Sequence, residues 1–277
     1  MPRSPRILTS ISSFFLLFAV LFVSAAGQQQ VEKANLDYQV AAVLYTQKAA
    51  EYRALCLQAF NIARLRLDAD LDKKNVKRLP KEQRKMPRAI IVDIDETVLD
   101  NSPSQAASIL NGRPFNPTDW HAWSEMRSAK AVPGAAEFLN YAVSKGVKIF
   151  YISNRDEVQK EATIDNLQKA GFADVSAENV LLRTTESGKD ARRDSVSAKY
   201  RVVMLAGDNL DDFSSAFERK SIADRFDETD KVKDLWGSRF IVLPNAMYGT
   251  WENAIYEYQR LTEEQKAEIR AKALELP

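Results

Sequence analysis

The stretch that decides the fold is residues 88–101, Arg-Ala-Ile-Ile-Val-Asp-Ile-Asp-Glu-Thr-Val-Leu-Asp-Asn. Its apolar part, residues 89–92, is short and β-branched, which predicts a buried strand of a parallel sheet. Asp93 and Asp95 follow where that strand should end. Ligands of open α/β sheets bind outside the carboxyl ends of the strands, so we expect both carboxylates to face a binding crevice. A solvated acidic turn is the alternative interpretation.

Four further short apolar runs predict the rest of the sheet. They cover residues 147–152, 179–182, 201–206 and 239–243. Helices are predicted at residues 133–145, which begin with a proline, and at residues 157–170, which Gly171 ends. Strands that alternate with helices indicate an α/β fold built on a doubly wound parallel sheet with right-handed crossovers.

The first 27 residues have the layout of a secretory signal peptide. Arg3 and Arg6 precede an apolar core at residues 14–23, and small residues follow at 24–27. The core is short for a membrane span, and an uncleaved N-terminal anchor is the alternative. No cysteine lies near the small residues, so we expect no lipid anchor. We therefore expect an exported protein, periplasmic or secreted after cleavage.

The remaining chain divides into an N-terminal helical segment with a linker, residues 28–87, and a core domain, residues 88–277. Apolar residues recur at three- and four-residue steps from about residue 31 to residue 70, which predicts one helix, and the charged stretch after it predicts a linker. Within the core, residues 102–132 hold proline, glycine and two tryptophans without clear periodicity. We expect this insert to form a smaller, mainly helical cap that acts as a lid.

Charge and composition exclude several functions. The chain has 39 Lys+Arg and 38 Asp+Glu, and loss of Arg3 and Arg6 with the signal peptide leaves 37 − 38 = −1. Such a neutral chain gives no electrostatic reason to bind a nucleic-acid polymer. Because Cys56 and His121 are the only cysteine and histidine, an intramolecular disulfide, a His/Cys zinc site and a histidine nucleophile are excluded. Any metal must have oxygen ligands, which favours Mg²⁺ or a similar hard divalent cation.

A second acidic motif, Gly-Asp-Asn-Leu-Asp-Asp-Phe at residues 207–213, follows the fourth predicted strand. Asp208 is expected at the strand end and Asp212 one turn into the next helix, facing the same crevice. Together with Asp93 and Asp95, these carboxylates would repel one another strongly unless a cation lay among them. The pattern therefore predicts a magnesium site.

Residues 93–103, Asp-Ile-Asp-Glu-Thr-Val-Leu-Asp-Asn-Ser-Pro, resemble the signature of bacterial class C non-specific acid phosphatases. This group of the haloacid dehalogenase superfamily includes outer-membrane lipoprotein 5′-nucleotidases. The resemblance implies that Asp93 is the nucleophile and forms an aspartyl-phosphate, while Asp95 protonates the leaving oxygen and later activates water. It also implies metal binding by the side chains of Asp93 and Asp208 and the carbonyl of Asp95. Asp212 would be a further ligand or lie just outside the coordination sphere.

The same resemblance gives phosphate-binding roles to three residues that are weak signals alone. Ser153 and Asn154 follow the second predicted strand, and Lys189 precedes the fourth. In the family these positions would hold the transferring phosphoryl group, whose loose transition state needs positioning and charge stabilisation. A turn-forming Ser-Asn pair and a solvated surface lysine are the alternative interpretations.

Aromatic residues near the expected crevice indicate a substrate that carries a nucleobase. Tyr248 follows the fifth predicted strand, in a segment that resembles the one from which class C nucleotidases offer a ring to a nucleobase. Trp123, or Trp120 in its place, would supply the opposing ring from the lid. The alternative is that these rings pack the cap against the core. Relatives commonly carry a tyrosine where this chain has Ser104, a difference that leaves the catalytic set intact and bears on a substrate contact.

The sequence therefore predicts an exported, magnesium-dependent acid phosphatase that hydrolyses small phosphate monoesters, foremost nucleoside 5′-monophosphates. A sugar-phosphatase or a phosphotransferase on the same fold is the alternative enzyme. A non-catalytic storage or binding protein is the alternative outside enzymes. Plant storage relatives lose the nucleophile, whereas Asp93 is present here.

Overall fold

The computed structural model describes residues 1–2 and 33–277 of the chain. Apart from its first two residues, the predicted signal peptide lies outside the described residues. The unit from Lys33 to Pro277 is built around a parallel sheet. No helix in the described residues combines the length and the apolar character that a membrane span requires.

Within the described residues the chain forms seven strands. They are β1 Arg88–Val92, β2 Leu99–Asp100, β3 Lys130–Ala131, β4 Lys148–Asp156, β5 Val180–Arg183, β6 Arg201–Gly207 and β7 Phe240–Val242. Five of them form the central sheet in the order β5-β4-β1-β6-β7, with every neighbouring pair parallel. The strands β2 and β3 form a separate antiparallel pair. The five predicted strands are thus all present, and β1 lies in the middle of the sheet.

Twelve α-helical segments accompany these strands in the described part of the chain. They are α1 Val40–Lys48, α2 Ala50–Leu71, α3 Lys73–Val76, α4 Lys81–Arg84, α5 Ser102–Asn111, α6 Pro117–Met126, α7 Ala135–Ser144, α8 Lys160–Lys169, α9 Asp190–Ser197, α10 Ile222–Lys231, α11 Thr250–Ile255 and α12 Glu263–Lys272.

Both faces of the sheet are covered by helices. Successive side chains of a strand point to opposite faces, so neighbouring residues of β1 enter different parts of the core. Ile90 belongs to a hydrophobic cluster that includes Phe60 of α2 and Leu139 of α7, whereas Ile91 belongs to a second cluster with Val196 of α9. Burial on both faces explains why β1 is a continuous apolar run. The predicted doubly wound parallel sheet is confirmed.

The N-terminal segment differs from the prediction of one helix followed by a linker. Ala49 has an extended backbone, with φ −81° and ψ 128°, and it separates α1 from α2. The stretch predicted as a linker contains α3 and α4. The side chain of Asp72 begins α3 because it accepts hydrogen bonds from the backbone N–H groups of Lys74 and Asn75. This capping accounts for α3, and neither short helix was indicated by the apolar pattern.

The insert at residues 102–132 contains the helices α5 and α6. A glycine in the left-handed conformation, Gly112 with φ 61°, ends α5. Pro117 begins α6, and the side chain of Asn116 caps it by accepting the N–H of Asp119. The pair β2–β3, which the sequence did not predict, joins the two ends of the insert. The two ends of the insert are therefore held together by this antiparallel pair of strands.

Candidate active site

The loop after β1 brings the first two aspartates to the end of the central strand. The N–H of Asp93 donates to the carbonyl of Ala206 at 2.9 Å, which continues the pairing of β1 with β6 by one residue. The N–H groups of Val98 and Leu99 both donate to the carbonyl of Ile94 at 2.9 Å, so the loop closes on itself at once. The Asp93 side chain is buried at this strand end.

The neighbouring strand β6 places Asp208 beside this loop. One carboxylate oxygen of Asp208 accepts a hydrogen bond from the Thr97 hydroxyl at 3.0 Å. The other accepts from the side-chain amide of Asn245, after β7, at 2.8 Å. Residues that follow two other strands, β1 and β7, therefore fix the orientation of this carboxylate.

Gly207 allows Asp212 to return to the same strand end. Asp212 closes a 3₁₀ turn, Leu210–Asp212, instead of the α-helical turn that was predicted, and its carboxylate accepts the N–H of Asn209 at 3.0 Å. A Cβ atom on Gly207 would lie 2.4 Å from both the Cβ and the Oδ2 atoms of Asp212. Only glycine permits this approach, because real Cβ atoms do not come so close to other heavy atoms.

Three carboxylates form one cluster in the described part of the chain. Asp93, Asp208 and Asp212 each offer an oxygen, and these oxygens lie within 4.8 Å of one another. Carboxylate oxygens are the ligands that hard divalent cations prefer, so the donor set fits such an ion. The side chain of Asp95 is not in the cluster, and its expected contribution is a main-chain carbonyl.

Lys189 lies between two members of the cluster. It immediately precedes α9 and is 6% exposed. Its Nζ atom donates to a carboxylate oxygen of Asp93 and, at 2.6 Å, to one of Asp212. The alternative interpretation of Lys189 as a solvated surface lysine is therefore wrong.

The cluster has three carboxylates, and the single positive charge of Lys189 cannot balance all of them. Burial raises the pKa of Asp93 well above its usual range; Lys189 opposes this shift, whereas Asp212 and Asp208 add to it. Burial and the Asp212 carboxylate raise the pKa of Asp208 to about 7. Burial alone would lower the pKa of Lys189, but Asp212 and Asp93 outweigh it and raise that pKa, so the ammonium stays protonated. Further positive charge would stabilise the cluster.

The Asp95 carboxylate has different partners. One of its oxygens accepts hydrogen bonds from the side-chain amide of Asn101 at 2.9 Å and from Arg155 at 2.7 Å. The other accepts from the Ser153 hydroxyl at 3.2 Å. The two aspartates of the first motif therefore have separate surroundings, with a lysine and acids at Asp93 and uncharged donors plus an arginine at Asp95.

The two predicted phosphate-binding residues after β4 differ in burial. Ser153 is buried, whereas Asn154 is exposed. Arg192 of α9 joins this strand end to the lysine loop: it donates to the carbonyl of Ser153 at 2.6 Å, to the side-chain oxygen of Asn154 at 2.7 Å and to the carbonyl of Gly188 at 3.1 Å. The turn that carries Ser153 and Asn154 is thus held next to Lys189.

Arg155 is a site residue that the sequence did not single out. Strand β4 was predicted to end at residue 152 but extends to Asp156. Residues two apart in a strand lie on the same face, so the longer strand puts Arg155 on the face of Ser153. The signal that could have found it is this two-residue spacing, which the shorter predicted strand hid.

A cavity of about 710 Å³ collects these residues. Among its lining residues are Asp93, Asp95, Ser153, Asn154, Lys189, Asp208, Asp212 and Tyr248, which is every predicted site residue except Trp123. Tyr248 lies on the loop after β7, and its hydroxyl contacts the buried Glu96 carboxylate. The cap contributes Trp120 to the lining.

Trp123, which was predicted to face the substrate, is not among the residues that line the cavity. Its indole N–H donates to the side-chain oxygen of Asn101 at 2.8 Å, and its ring packs against the main hydrophobic core. Trp120 lies nearly one turn earlier on α6 and lines the cavity instead. The packing alternative therefore holds for Trp123: the two rings are neighbours on one face of α6, but the Trp123 ring is directed to the core and to Asn101.

Carboxylates gathered at the ends of two neighbouring parallel strands, around a buried lysine, suit phosphoryl transfer, and the comparisons with known proteins place the chain in the class of phosphomonoesterases. The family model of the HAD (haloacid dehalogenase) superfamily, subfamily IIIB (acid phosphatase), matches residues 19–251. The chain belongs to this family. Phosphatases of this superfamily use divalent metal ions, in agreement with the acidic cluster of Asp93, Asp208 and Asp212.

Solved structures and curated relatives agree with this assignment. The chain is similar to the class C acid phosphatase from Bacillus anthracis, with a TM-score of 0.80 and 41% identity over 87% of this chain and 98% of the other. A second structure of that enzyme has tungstate bound and gives a TM-score of 0.79. Acid phosphatase 1 of Solanum lycopersicum is 28% identical over 44% of this chain, and a stem 31 kDa glycoprotein of Glycine max is 30% identical over 57% of it. The chain spans 50% and 58% of the length of these two plant proteins.

Proposed function

We propose that the chain hydrolyses phosphate monoesters through an aspartyl-phosphate formed on Asp93. The observation that carries this proposal is the contrast between the two aspartates of the first motif. Asp93 is buried against the Lys189 ammonium, whereas Asp95 is held by hydrogen-bond donors two residues further on. Both line one cavity. This arrangement suits a nucleophile beside a proton donor.

In the first step a carboxylate oxygen of Asp93 attacks phosphorus, and the bond between phosphorus and the leaving oxygen breaks. Asp95 gives its proton to that oxygen. Lys189 offsets the negative charge of nucleophile and phosphate, while Ser153 and Asn154 orient the phosphoryl group. In the second step Asp95 takes a proton from a water molecule that attacks phosphorus, which releases inorganic phosphate and restores Asp93.

The residues that would hold a magnesium ion are the carboxylates of Asp93, Asp208 and Asp212, with the carbonyl of Asp95. Magnesium fits because every one of these donors is a hard oxygen atom. When bound, the ion supplies positive charge that offsets the carboxylates and lets a phosphate dianion approach them. The raised pKa values of Asp93 and Asp208 support this role, since they follow first from burial and then from the repulsion of neighbouring carboxylates, and a cation would offset both.

Turnover of an aryl phosphate tests the proposal. Chelation should silence the wild-type protein and added magnesium should restore it. Asp93→Asn removes the charge of the nucleophile and should abolish turnover, whereas Asp165→Asn, which removes a carboxylate paired with Lys169 on the surface of α8, should not. Full turnover by Asp93→Asn, or turnover that chelation leaves unchanged, would contradict the mechanism.

We further propose that nucleoside 5′-monophosphates are the preferred substrates. Tyr248 and, in place of Trp123, Trp120 line the cavity that holds the carboxylates, so both rings are accessible to a base. Ser104 also lines it, and its small side chain leaves space where relatives carry a tyrosine. A base–aromatic stack contributes about 1–3 kcal/mol. The measurement is the ratio of kcat/KM for AMP to that for glucose 6-phosphate; a ratio of one or less would refute the preference.

Export is proposed from the sequence of residues 1–27. Two arginines, a short apolar core and small residues support cleavage near residues 25–27. Mass spectrometry of protein recovered from the periplasm or the medium tests it. A mature chain that still begins at Met1 would refute cleavage.

A further inference from the structure

Arg155 is a buried cation whose side chain joins three parts of the molecule. It is 3% exposed. Its guanidinium contacts Asp95 in the first acidic motif, Thr163 on α8 and Ser124 on α6 of the cap. It also lies 5.3 Å from the ring centroid of Trp120, the cap tryptophan that lines the cavity. A buried charge with such a set of partners is fixed in position.

The contact with Asp95 is made by two nitrogens. The Nε atom lies 3.0 Å and 3.3 Å from the two oxygens of Asp95, and one terminal nitrogen lies 2.7 Å from the first of them. The other terminal nitrogen donates to the Thr163 hydroxyl at 3.1 Å. Because a guanidinium is planar, anchoring one edge on Thr163 fixes the direction in which the other edge meets the carboxylate.

We propose that Arg155 is a positioning residue that holds the Asp95 carboxylate in the orientation from which it protonates the leaving oxygen, with Thr163 as its anchor. The inference rests on the proposed function, in which Asp95 is the acid and base. Arg155 also lines the cavity, and the proposed role is to act through Asp95 and not through the phosphoryl group. Its contacts with Ser124 and Trp120 make the orientation depend on the cap as well.

The leaving group distinguishes positioning of the acid from a structural role. A nitrophenolate leaves readily without a proton, whereas an alkoxide does not, so a misplaced acid harms alkyl phosphates more. We expect Arg155→Met to lower kcat/KM for an alkyl phosphate about 10- to 100-fold more than for 4-nitrophenyl phosphate, within the range of general acid catalysis. Arg155→Lys should show the same selective loss, because lysine cannot reproduce the two-nitrogen contact. The inhibition constant of inorganic phosphate should stay near its wild-type value.

Two other variants complete the experiment. Thr163→Val removes the anchor without changing a residue that lines the cavity. It should also lower kcat/KM more for the alkyl phosphate than for 4-nitrophenyl phosphate, by a smaller factor. If Arg155→Met does not fold, this variant tests the inference in its place. Arg183→Met is the matched control, since Arg183 pairs with Asp156, the residue after Arg155, and should keep the wild-type ratio of the two substrates. Thermal unfolding verifies that each variant is folded.

Equal losses for both substrates would overturn the inference, because they would show a role in stability or in substrate binding. A weakened inhibition by phosphate would also overturn it, since Arg155 would then contact the oxyanion directly. Failure of the proposed function gives a different result, in which the wild type turns over neither substrate.

Discussion

At the scale of single residues, the acidic cluster depends on a glycine that carries no chemistry. Gly207 ends β6, and the Asp212 carboxylate occupies the space that a Cβ atom would need. We expect Gly207→Ala to displace Asp212 and lower kcat/KM about 100-fold, the effect of a misplacement near 1 Å. Overpacking should also lower the free energy of unfolding by about 1–3 kcal/mol. Steady-state kinetics and thermal unfolding measure both effects.

Gly146→Ala is the matched control for that substitution. Gly146 has φ 74° and no atom within 4 Å of an added Cβ. The left-handed conformation costs an alanine about 1–2 kcal/mol, so this variant should lose similar stability. Its kcat/KM should remain that of the wild type. If both variants kept full activity, Gly207 would not be what places Asp212.

At the scale of elements, the two tryptophans of helix α6 have different surroundings: Trp120 lines the cavity and Trp123 packs against the core. Trp120→Ala should lower kcat/KM for AMP at least about fivefold, the lower end of a base stack, and change that for glucose 6-phosphate less. Trp123→Ala should instead lower the melting temperature and leave the ratio of the two substrates unchanged, because its ring packs against the core. A change of the ratio in Trp123→Ala alone would contradict this assignment.

The elements also show what the sequence could and could not predict. The five strands of the sheet were predicted because burial on both faces makes each of them an apolar run. The first aspartates and the Gly-Asp motif were predicted because strand ends are where parallel sheets bind ligands. The choice between Trp120 and Trp123 was not predictable, since only the packing of α6 against the core decides which ring enters the cavity. Arg155 was missed because the extra length of β4 depends on tertiary pairing with β5.

At the scale of the whole molecule, a charge cluster at the starts of the strands lies apart from the acids at their ends. Asp70, near the end of α2, pairs with Arg88 at the start of β1 and Arg201 at the start of β6, at 2.7 Å and 2.6 Å. Burial opposes ionisation of Asp70, but hydrogen bonds from Arg201 and Arg88 outweigh it and lower the pKa of this carboxyl. Since these partners are 18 and 131 residues away, no sequence pattern indicates the pairing.

A carboxyl whose pKa is lowered by folding stabilises the fold fully above its unfolded pKa, and this stabilisation is lost as the pH falls through the folded pKa. Asp70→Asn should therefore lower the free energy of unfolding by about 1–3 kcal/mol near neutral pH. The difference from wild type should shrink below about pH 4, the unfolded pKa of an aspartate. Denaturant titrations from neutral to acidic pH measure it. Asp165→Asn, which breaks a surface pair with Lys169 on α8, should cost less than Asp70→Asn, and a pH-independent Asp70→Asn difference would contradict this account.

The central claim is that phosphate passes through a covalent bond to Asp93. The direct measurement quenches the Asp95→Asn variant in acid during turnover and locates the phosphoryl group by peptide mass spectrometry. This variant is used because loss of the base slows hydrolysis of the intermediate. Borohydride reduction, which converts an aspartyl-phosphate to homoserine, gives a stable mark. We predict the modification at Asp93. Modification of another residue, or continued turnover by the same variant with Asp93 never modified, would contradict the account.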